Sequence, residues 1–466
     1  MAEAKFLSGD LMKHVATMAF TSSAGLLVLF GVDLVDMVFI SMLGDPALVA
    51  AIGFASTILF FTTAISIGFS IATSALVSRS LGAGEQERGR LYATNVLSLG
   101  IAFACLFSLV IWVFTPNLLS LLGAQDAVLG HATSYLRIIV PSMPFMICGM
   151  AVGGVVRAHG DMSRATAVSI TAGLVNAVLD PIFIFALGWG LEGAAAASVG
   201  ARVTLAVLNL WLVFGRYGGL PTPRLDLFRQ DLPRVFGIAG PAILTNIATP
   251  IGSAFVTRSM ASFGDEAVAG MSIIGRLTPV AFAVLFALSG AVGPIVGQNF
   301  GGGRLDRVRG ALVAAAKFAF LYTVGVTAFL FLTRGLIADA FQATGEARSL
   351  IYLFCGPLAL SFVFNGLLFC ANASFNNLNR PLVSTTMNWG RNTLGVVPFV
   401  IIGASVAGPA GVLIGQAAGG VIFGSAAIFW ALKLSKDLEA GRASTEGAKL
   451  NLNWRRPLAA FTNNRG

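Results

Sequence analysis

Apolar residues occur along this chain in long runs, separated by short segments that contain Gly, Pro and Arg. Each run is about 20 residues or longer, which is the length an α-helix needs to cross the hydrocarbon core of a bilayer. An outer-membrane barrel would instead show roughly ten-residue segments of alternating hydrophobicity. The pattern therefore predicts an all-α integral membrane protein with twelve transmembrane helices, at residues 14–41, 47–78, 91–114, 134–156, 165–187, 191–214, 235–260, 266–298, 310–333, 349–373, 381–404 and 410–432.

Composition supports this prediction. Hydrophobic residues make up 56% of the 466 residues and charged residues only 11%, whereas charged residues make up about 25% of a soluble globular domain. The mean hydropathy is +0.83. These values exclude a soluble protein.

The basic residues predict the orientation of the chain. If the even-numbered connections and both tails face the cytoplasm, 22 Lys and Arg residues lie on that side and two, Arg334 and Arg348, on the other. By the positive-inside rule both termini are then cytoplasmic, in a bacterial cytoplasmic (inner) membrane. Orientation and lipid headgroups account for the net charge of +9, so no nucleic-acid partner is needed.

The two halves of the chain resemble each other at a distance of about 220 residues. GDPA at 44–47 matches GDEA at 264–267, and VSRSLGAGEQER at 77–88 falls on VGQNFGGGRLDR at 296–307. Six spans followed by six related spans predict two pseudo-symmetric lobes around a central cavity, related by an axis along the membrane normal. The predicted organisation is an N-terminal cytoplasmic tail (1–13), an N-lobe (14–214), a cytoplasmic inter-lobe loop (215–234), a C-lobe (235–432) and a disordered cytoplasmic C-terminal tail (433–466).

Three acidic residues fall well inside the predicted spans: Asp33, Asp36 and Asp180. An ionised side chain at bilayer depth costs a few kcal/mol (roughly 2.5–3.5) and normally faces a partner or a water-filled cavity. Asp36 and Asp180 each lie eight residues before a glycine that ends an outward-running span, so we expect them at similar depth. The second half of the chain has Val256 and Val397 at the corresponding positions, which makes this charge specific to the N-lobe.

The segment VNAVLDP at 175–181 surrounds one of these acids with further polar groups. Asn176 lies four residues before Asp180 and so on the same helix face, where its amide oxygen is available to a cation. Pro181 has no N–H, which leaves the carbonyl of Ala177 without its helical hydrogen bond. Interrupted backbone beside a carboxylate is typical of cation coordination in transporters. Two clustered carboxylates also resist simultaneous ionisation, so the pair is suited to carry a proton.

This chain resembles the multidrug and toxic compound extrusion (MATE) transporters. The resemblance covers roughly residues 14–432 and rests on VDLVDMVFISMLG (32–44), ALVSRSLGAGEQERGR (75–90), VLDPIFIFALGWGLEGAAAAS (178–198) and IVGQNFGGG (295–303). The aspartate-bearing stretches are similar to those of the DinF-like branch, in which a pair of N-lobe aspartates forms the cation site.

The resemblance implies further site residues. Hydroxyl and amide groups near the aspartate pair help to hold Na⁺ in the family, and by position Asn176 and Ser198 match them. The implied cation/proton coupling set is Asp36, Asp180, Asn176 and Ser198, with Na⁺ at the first three, and with Asp33 and Tyr135 as auxiliary groups. One feature differs: the first helix lacks the usual proline and has Thr21 where the second lobe has Pro241.

The predicted function is that of an antiporter coupled to H⁺, Na⁺ or both, which exports amphipathic organic compounds by alternating access. Its predicted partners are a small-molecule substrate and membrane lipids, and it is predicted to be a monomer without a cofactor. Arg391 and Asn388 are candidate residues of the substrate cavity. The main alternative is a flippase for a lipid-linked or polysaccharide precursor, which Arg202 and Arg391 support. An enzyme is disfavoured because His14, His131 and His159 are scattered near span ends, and a channel because of the two-lobe repeat.

Overall fold

The computed structural model describes residues 4–223 and 225–443, and over these residues the chain forms twelve long helical spans. The apolar stretches predicted from the sequence each form one span. The spans are α1 (Leu11–Ser41), α2 (Pro46–Gly82), α3 (Gln86–Leu121), α4 (Asp126–Ala158), α5 (Met162–Ala186), α6 (Gly190–Arg216), α7 (Leu225–Ala261), α8 (Asp265–Ala281 and Ala283–Gly301), α9 (Leu305–Ala340), α10 (Gly345–Asn377), α11 (Pro381–Asn392, continuing over 397–406) and α12 (409–439).

The last two spans are joined without a loop. Ala407 and Gly408 leave the helical conformation, and Gly408 has a φ of +56°, which suits glycine. The chain reverses here, because the backbone of Gly403 on α11 lies directly against that of Gly411 on α12. A Cβ at either glycine would overlap the facing carbonyl, so this pair must remain glycine for the two helices to pack so closely.

Three spans change their helical winding, each at or beside a proline. In α4 the interruption is a tight (3₁₀-helical) turn at Val140–Ser142. In α10 it is a wide (π-helical) turn at Phe354–Leu358. In α5 the chain passes directly after Pro181 into a wide turn at Ile182–Ala186. Wide helical turns of this kind are frequent at functional sites, and the one in α5 follows Asp180.

Helices α1–α6 form the N-lobe and α7–α12 the C-lobe. We call the end of the bundle that carries residues 4–10 and 440–443 the terminal face, and the opposite end the far face. The lobes meet where α1 and α2 pack against α7 and α8. In α8, 14 of the 19 residues of Ala283–Gly301 are buried, but only three of the 17 in Asp265–Ala281. The lobes are therefore closed together towards the terminal face and leave a cleft that opens to the far face.

Small residues allow the closed contact between the lobes. The backbone of Gly82 on α2 lies against Gln298 of α8, and the backbone of Gly301 on α8 lies against Arg79 of α2. We call this contact the glycine seam. Further out, Gly68 of α2 lies against Ile243 of α7. A side chain at these positions would hold the lobes apart.

Two segments predicted to be non-helical are partly helical. The predicted inter-lobe loop 215–234 ends early, since α7 begins at Leu225. Its charges suggested a loop, but Asp231 is buried and paired with Arg88 of α3. The predicted C-terminal tail 433–466 also begins with helix, because α12 continues through a polar last turn to Glu439; the tail beyond residue 443 lies outside the described residues.

The predicted N-terminal tail 1–13 is ordered over its described part. Helix α1 begins at Leu11, where the side chain of Asp10 accepts a hydrogen bond from the backbone N–H of Lys13 at 2.7 Å. Phe6 is only 1% exposed, and its backbone N–H donates to the side chain of Gln298 at 2.9 Å. The segment before α1 is therefore packed between the lobes at the terminal face.

Candidate cation-coupling site

The site is built where α1 and α5 pack side by side in the N-lobe. Gly25 of α1 lies against Thr166 of α5, and Gly173 of α5 lies against Val28 and Val32 of α1. The hydroxyl of Thr166 donates to the carbonyl of Thr21 at 3.1 Å. The position without the family's proline therefore supplies a backbone acceptor to α5, and α1 runs as one helix from Leu11 to Ser41.

This packing brings Asp36 and Asp180 together. The amide nitrogen of Asn176 donates to Asp180 Oδ2 at 2.6 Å and lies 3.5 Å from Asp36 Oδ2. The two carboxyl groups are themselves within hydrogen-bonding range of each other. Asp180 is fully buried, and Asp36 is partly exposed. The three side chains therefore form one cluster in the far-face half of the N-lobe.

Each carboxyl group of the pair has one unused oxygen. Asp36 Oδ1 and Asp180 Oδ1 are buried and have no hydrogen-bond partner among the described residues. Neither aspartate takes part in an ion pair within the described part of the chain. Because a buried acidic group needs a compensating partner, this arrangement is suited to bind a proton or a small cation.

Asn176 is oriented differently from the sequence-based expectation. We expected its amide oxygen to face a cation, but its amide nitrogen donates to the carboxylates. The amide nitrogen of Asn176 therefore connects the two acidic groups. For the amide oxygen to become a ligand, the side-chain amide must rotate by half a turn.

The remaining candidates of the N-lobe surround this cluster. Tyr135 of α4 is buried, and its hydroxyl lies near Ser198 of α6. It lies close enough to the acidic pair to interact electrostatically with both members. Asp33 is exposed, one turn before Asp36 on α1. The structure thus collects all six predicted N-lobe residues in one region, with Ser198 beside Tyr135.

The side chain of Arg202 binds to α4 at its tight turn, Val140–Ser142. Its guanidinium donates to the carbonyl of Ile139 at 3.1 Å and to the hydroxyl of Ser142 at 2.9 Å. In this turn the N–H of Met143 bonds to the carbonyl of Val140, which leaves the carbonyl of Ile139 without its usual helical donor. Arg202 is therefore a tie between α6 and α4.

The two C-lobe candidates differ in their surroundings. Asn388 is only 3% exposed and donates to the carbonyl of Ser384 on its own helix at 2.8 Å. Arg391 is partly exposed, and its guanidinium makes no hydrogen bond or ion pair with any described residue. Of the two, Arg391 is the one available to a bound molecule.

Sequence reasoning did not detect a cluster on the terminal face. Asp231, Arg88, Asn95 and Tyr92 come together between α3 and α7. They were assigned to a loop and to span ends, where polar residues are ordinary. A sequence offers little signal for such a cluster, because its partners are more than 130 residues apart.

Comparisons with known proteins agree with this architecture. The MatE family profile matches residues 22–182 and again residues 241–402, one match within each lobe. The FAD transporter of Shewanella oneidensis is 25% identical over 445 residues, which cover 94% of this chain and 98% of the relative. The multidrug export protein MepA of Staphylococcus aureus is 25% identical over 63% of this chain and 66% of its own length.

A solved structure has the same fold. A variant of the Vibrio cholerae MATE transporter VcmN superposes with a TM-score of 0.86 at 27% identity, over 92% of this chain and 97% of that protein. The twelve-helix, two-lobe arrangement is therefore the MATE fold, and the protein is a multi-pass membrane transporter and not an enzyme. Because the family profile matches both lobes, this chain belongs to the MatE family.

Proposed function

We propose that this protein is an antiporter coupled to H⁺, Na⁺ or both, which exports amphipathic organic compounds by alternating access. The observation that carries the proposal is the Asp36–Asp180 pair. It is a cluster of two acidic groups with unused buried oxygens and no basic counter-ion among the described residues. The name of MepA, a multidrug export protein, supports the same class of cargo.

The acidic pair explains how a cation gradient drives transport. A proton or Na⁺ that enters from the far face joins the two carboxyl groups and removes their repulsion. Cation and cargo then favour opposite openings of the cleft, which couples inward movement of one to outward movement of the other. Tyr135 and Ser198 line the site beside the two carboxyl groups. When the ion is Na⁺, rotation of the Asn176 side-chain amide adds its oxygen as a ligand.

We further propose that the terminal face lies in the cytoplasm of a bacterial cell, with the protein as a monomer in the inner membrane. Support comes from the distribution of Lys and Arg between the two faces. With this orientation, the cleft of the described structure opens outward, the state in which an external cation reaches Asp36 first.

Purified protein in liposomes tests this function. We expect a pH or Na⁺ gradient to drive movement of an amphipathic cationic dye against its own gradient, and we expect collapse of the cation gradient to stop it. The measurement is dye fluorescence across the vesicle membrane, with protein-free vesicles as the control. Dye movement that only follows the dye's own gradient would contradict an antiporter and indicate a channel.

An anionic amphipathic cargo is a second candidate. Arg276 of α8 is exposed eleven residues after Asp265, about 16 Å into the helix. It lies on the opposite side of α8 from Ala267 and Ile274, which are buried. An exposed arginine at such depth avoids lipid and faces water, so Arg276 and Arg391 give the C-lobe side of the cleft a positive charge. The relative named as an FAD transporter favours this candidate.

Substitution of these arginines separates the two cargo classes. We expect Arg276→Gln and Arg391→Gln to reduce efflux of flavin adenine dinucleotide roughly tenfold, because each loses a charge-assisted contact of about 1.5–3 kcal/mol. Efflux of a cationic dye should change little. The matched control is Arg258→Gln, an exposed arginine near the far-face end of α7. Unchanged flavin efflux in both variants would contradict an anionic cargo.

The flippase remains the alternative in the same superfamily. Of the two arginines that supported it, Arg202 is occupied by its bonds to α4. Arg276 and Arg391 are two charges on one side of the cleft, too few for a strongly cationic cavity. The geometry therefore favours export of a small molecule.

A further inference from the structure

Asp231 carries a buried negative charge at the terminal face, far along the chain from the acidic pair. It lies in the second turn of α7 and is 0% exposed. Both of its carboxylate oxygens are used. Oδ1 lies 2.5 Å from Arg88 Nη2, and Oδ2 accepts from Asn95 Nδ2 at 2.8 Å. Both partners belong to α3, so the hydrogen bonds that this C-lobe carboxylate accepts come from N-lobe donors.

Tyr92 of α3 extends this contact. The guanidinium of Arg88 lies over the Tyr92 ring, 4.1 Å from its centroid. Arg234 of α7 donates to the Tyr92 hydroxyl at 2.7 Å and lies 3.8 Å from Asp231. Hydrogen bonds therefore cross between α3 and α7 in both directions: α3 contributes a charged, an aromatic and an amide side chain, and α7 contributes two charged side chains.

This ion pair differs from the others in the described structure. Those between Arg164 and Asp161, Arg348 and Asp339, or Arg442 and Asp437 each join residues of a single lobe. Among the described residues, Arg88–Asp231 is the ion pair that joins the two lobes. It lies on the face where the lobes are closed.

The energetic consequence follows from burial. Removing one partner from a buried ion pair is strongly destabilising, since it leaves an uncompensated charge. Opening the terminal face moves α3 away from α7, so Asp231 must exchange Arg88 and Asn95 for water. The pair therefore stabilises the closed terminal face relative to the open one.

We propose that Arg88 and Asp231 form an interlobe latch that sets how readily the terminal face opens during transport. The latch acts on the conformational step and not on the coupling ion or the cargo. Asn95 and Arg234 position the Asp231 carboxylate, and Tyr92 positions Arg88. In this scheme the acidic pair in the N-lobe binds the coupling cation, and the latch sets the stability of the closed terminal face.

Distance measurements between spin labels test the latch. Glu85 and Asp306 are exposed on the terminal face, one in each lobe, and both are replaced by cysteine in full-length protein carrying Cys105→Ser. We expect Asp231→Asn to raise the ratio of long to short distances at least about tenfold. Arg88→Gln should do the same, and Arg88→Lys should restore much of the short-distance population.

Two comparisons make the result decisive. Asp437→Asn removes a same-face ion pair within one lobe, and it should leave the distances unchanged. The double variant Arg88→Gln with Asp231→Asn should open no further than the more open single variant, because the partners are coupled. Unchanged distances in a folded, monodisperse Asp231→Asn protein would overturn the latch, as would additive opening in the double variant. This measurement needs neither cation nor cargo, so its failure is distinct from failure of the proposed antiport.

Discussion

Replacing Asp180 with asparagine is expected to abolish gradient-driven efflux while leaving the protein folded in the membrane. Asp180 is fully buried and shares Asn176 with Asp36. The loss of one charged ligand removes about 1.5–3 kcal/mol, which is roughly 10- to 100-fold in cation affinity. The measurement is cation-dependent dye efflux from proteoliposomes that contain equal amounts of protein. Asp36→Asn should have the same effect.

Asp45→Asn is the matched control for this substitution. Asp45 lies at the far-face end of the same lobe and caps α2 by accepting from Ala47 N at 2.8 Å. Asparagine caps helices about as well as aspartate, so this variant should transport normally. Normal gradient-dependent efflux by both Asp36→Asn and Asp180→Asn would remove the site assignment.

Adding a single methyl group to the glycine seam is expected to cause the second large loss of transport. The backbone of Gly301 lies directly against the carbonyl of Arg79, and a Cβ there would overlap it. Overpacking costs about 1–3 kcal/mol or more, which lowers the population of the closed terminal face about fivefold to 150-fold. We expect Gly301→Ala to reduce the rate of cargo efflux by a similar factor.

Gly240→Ala tests whether this loss is specific to the seam. Gly240 lies within α7, and a Cβ there meets no atom within 4 Å. The same added methyl group should leave transport unchanged, and the alanine favours the helix by about 1 kcal/mol. Wild-type efflux by Gly301→Ala would show that the close backbone approach is not needed for transport.

The helical architecture could be predicted because a bilayer demands it. A span must satisfy its backbone hydrogen bonds internally and cover about 30 Å with apolar residues. The apolar runs therefore placed all twelve helices, but not their ends. Lys433 and Lys436 continue α12 beyond its apolar part, since a helix that leaves the bilayer can continue in water.

The candidate site was only partly predictable. Asp36 and Asp180 stand out because charge is rare at bilayer depth, and their spacing from Gly44 and Gly188 placed them at similar depth. The sequence does not show which side of each helix faces the other. The close packing of Gly25 on Thr166 sets that rotation.

The orientation of the Asn176 amide shows the same limit. Its spacing from Asp180 predicted a shared helix face, and the hydrogen bond at 2.6 Å lies there. Which of its two polar atoms faces the acids depends on Asp36, a residue 140 positions away. Local spacing carries no information about that choice.

The amino-acid sequence alone was sufficient for the number of helices, the two-fold repeat and the three intramembrane acids, because each depends on local hydrophobicity or on spacing within one helix. Contacts between distant helices decided the rest: the pairing of Asp36 with Asp180, the burial of Asp231 between the lobes, and the closed terminal face. These depend on how side chains pack across helix surfaces, where a single glycine or a turn of one helix about its axis changes every neighbour.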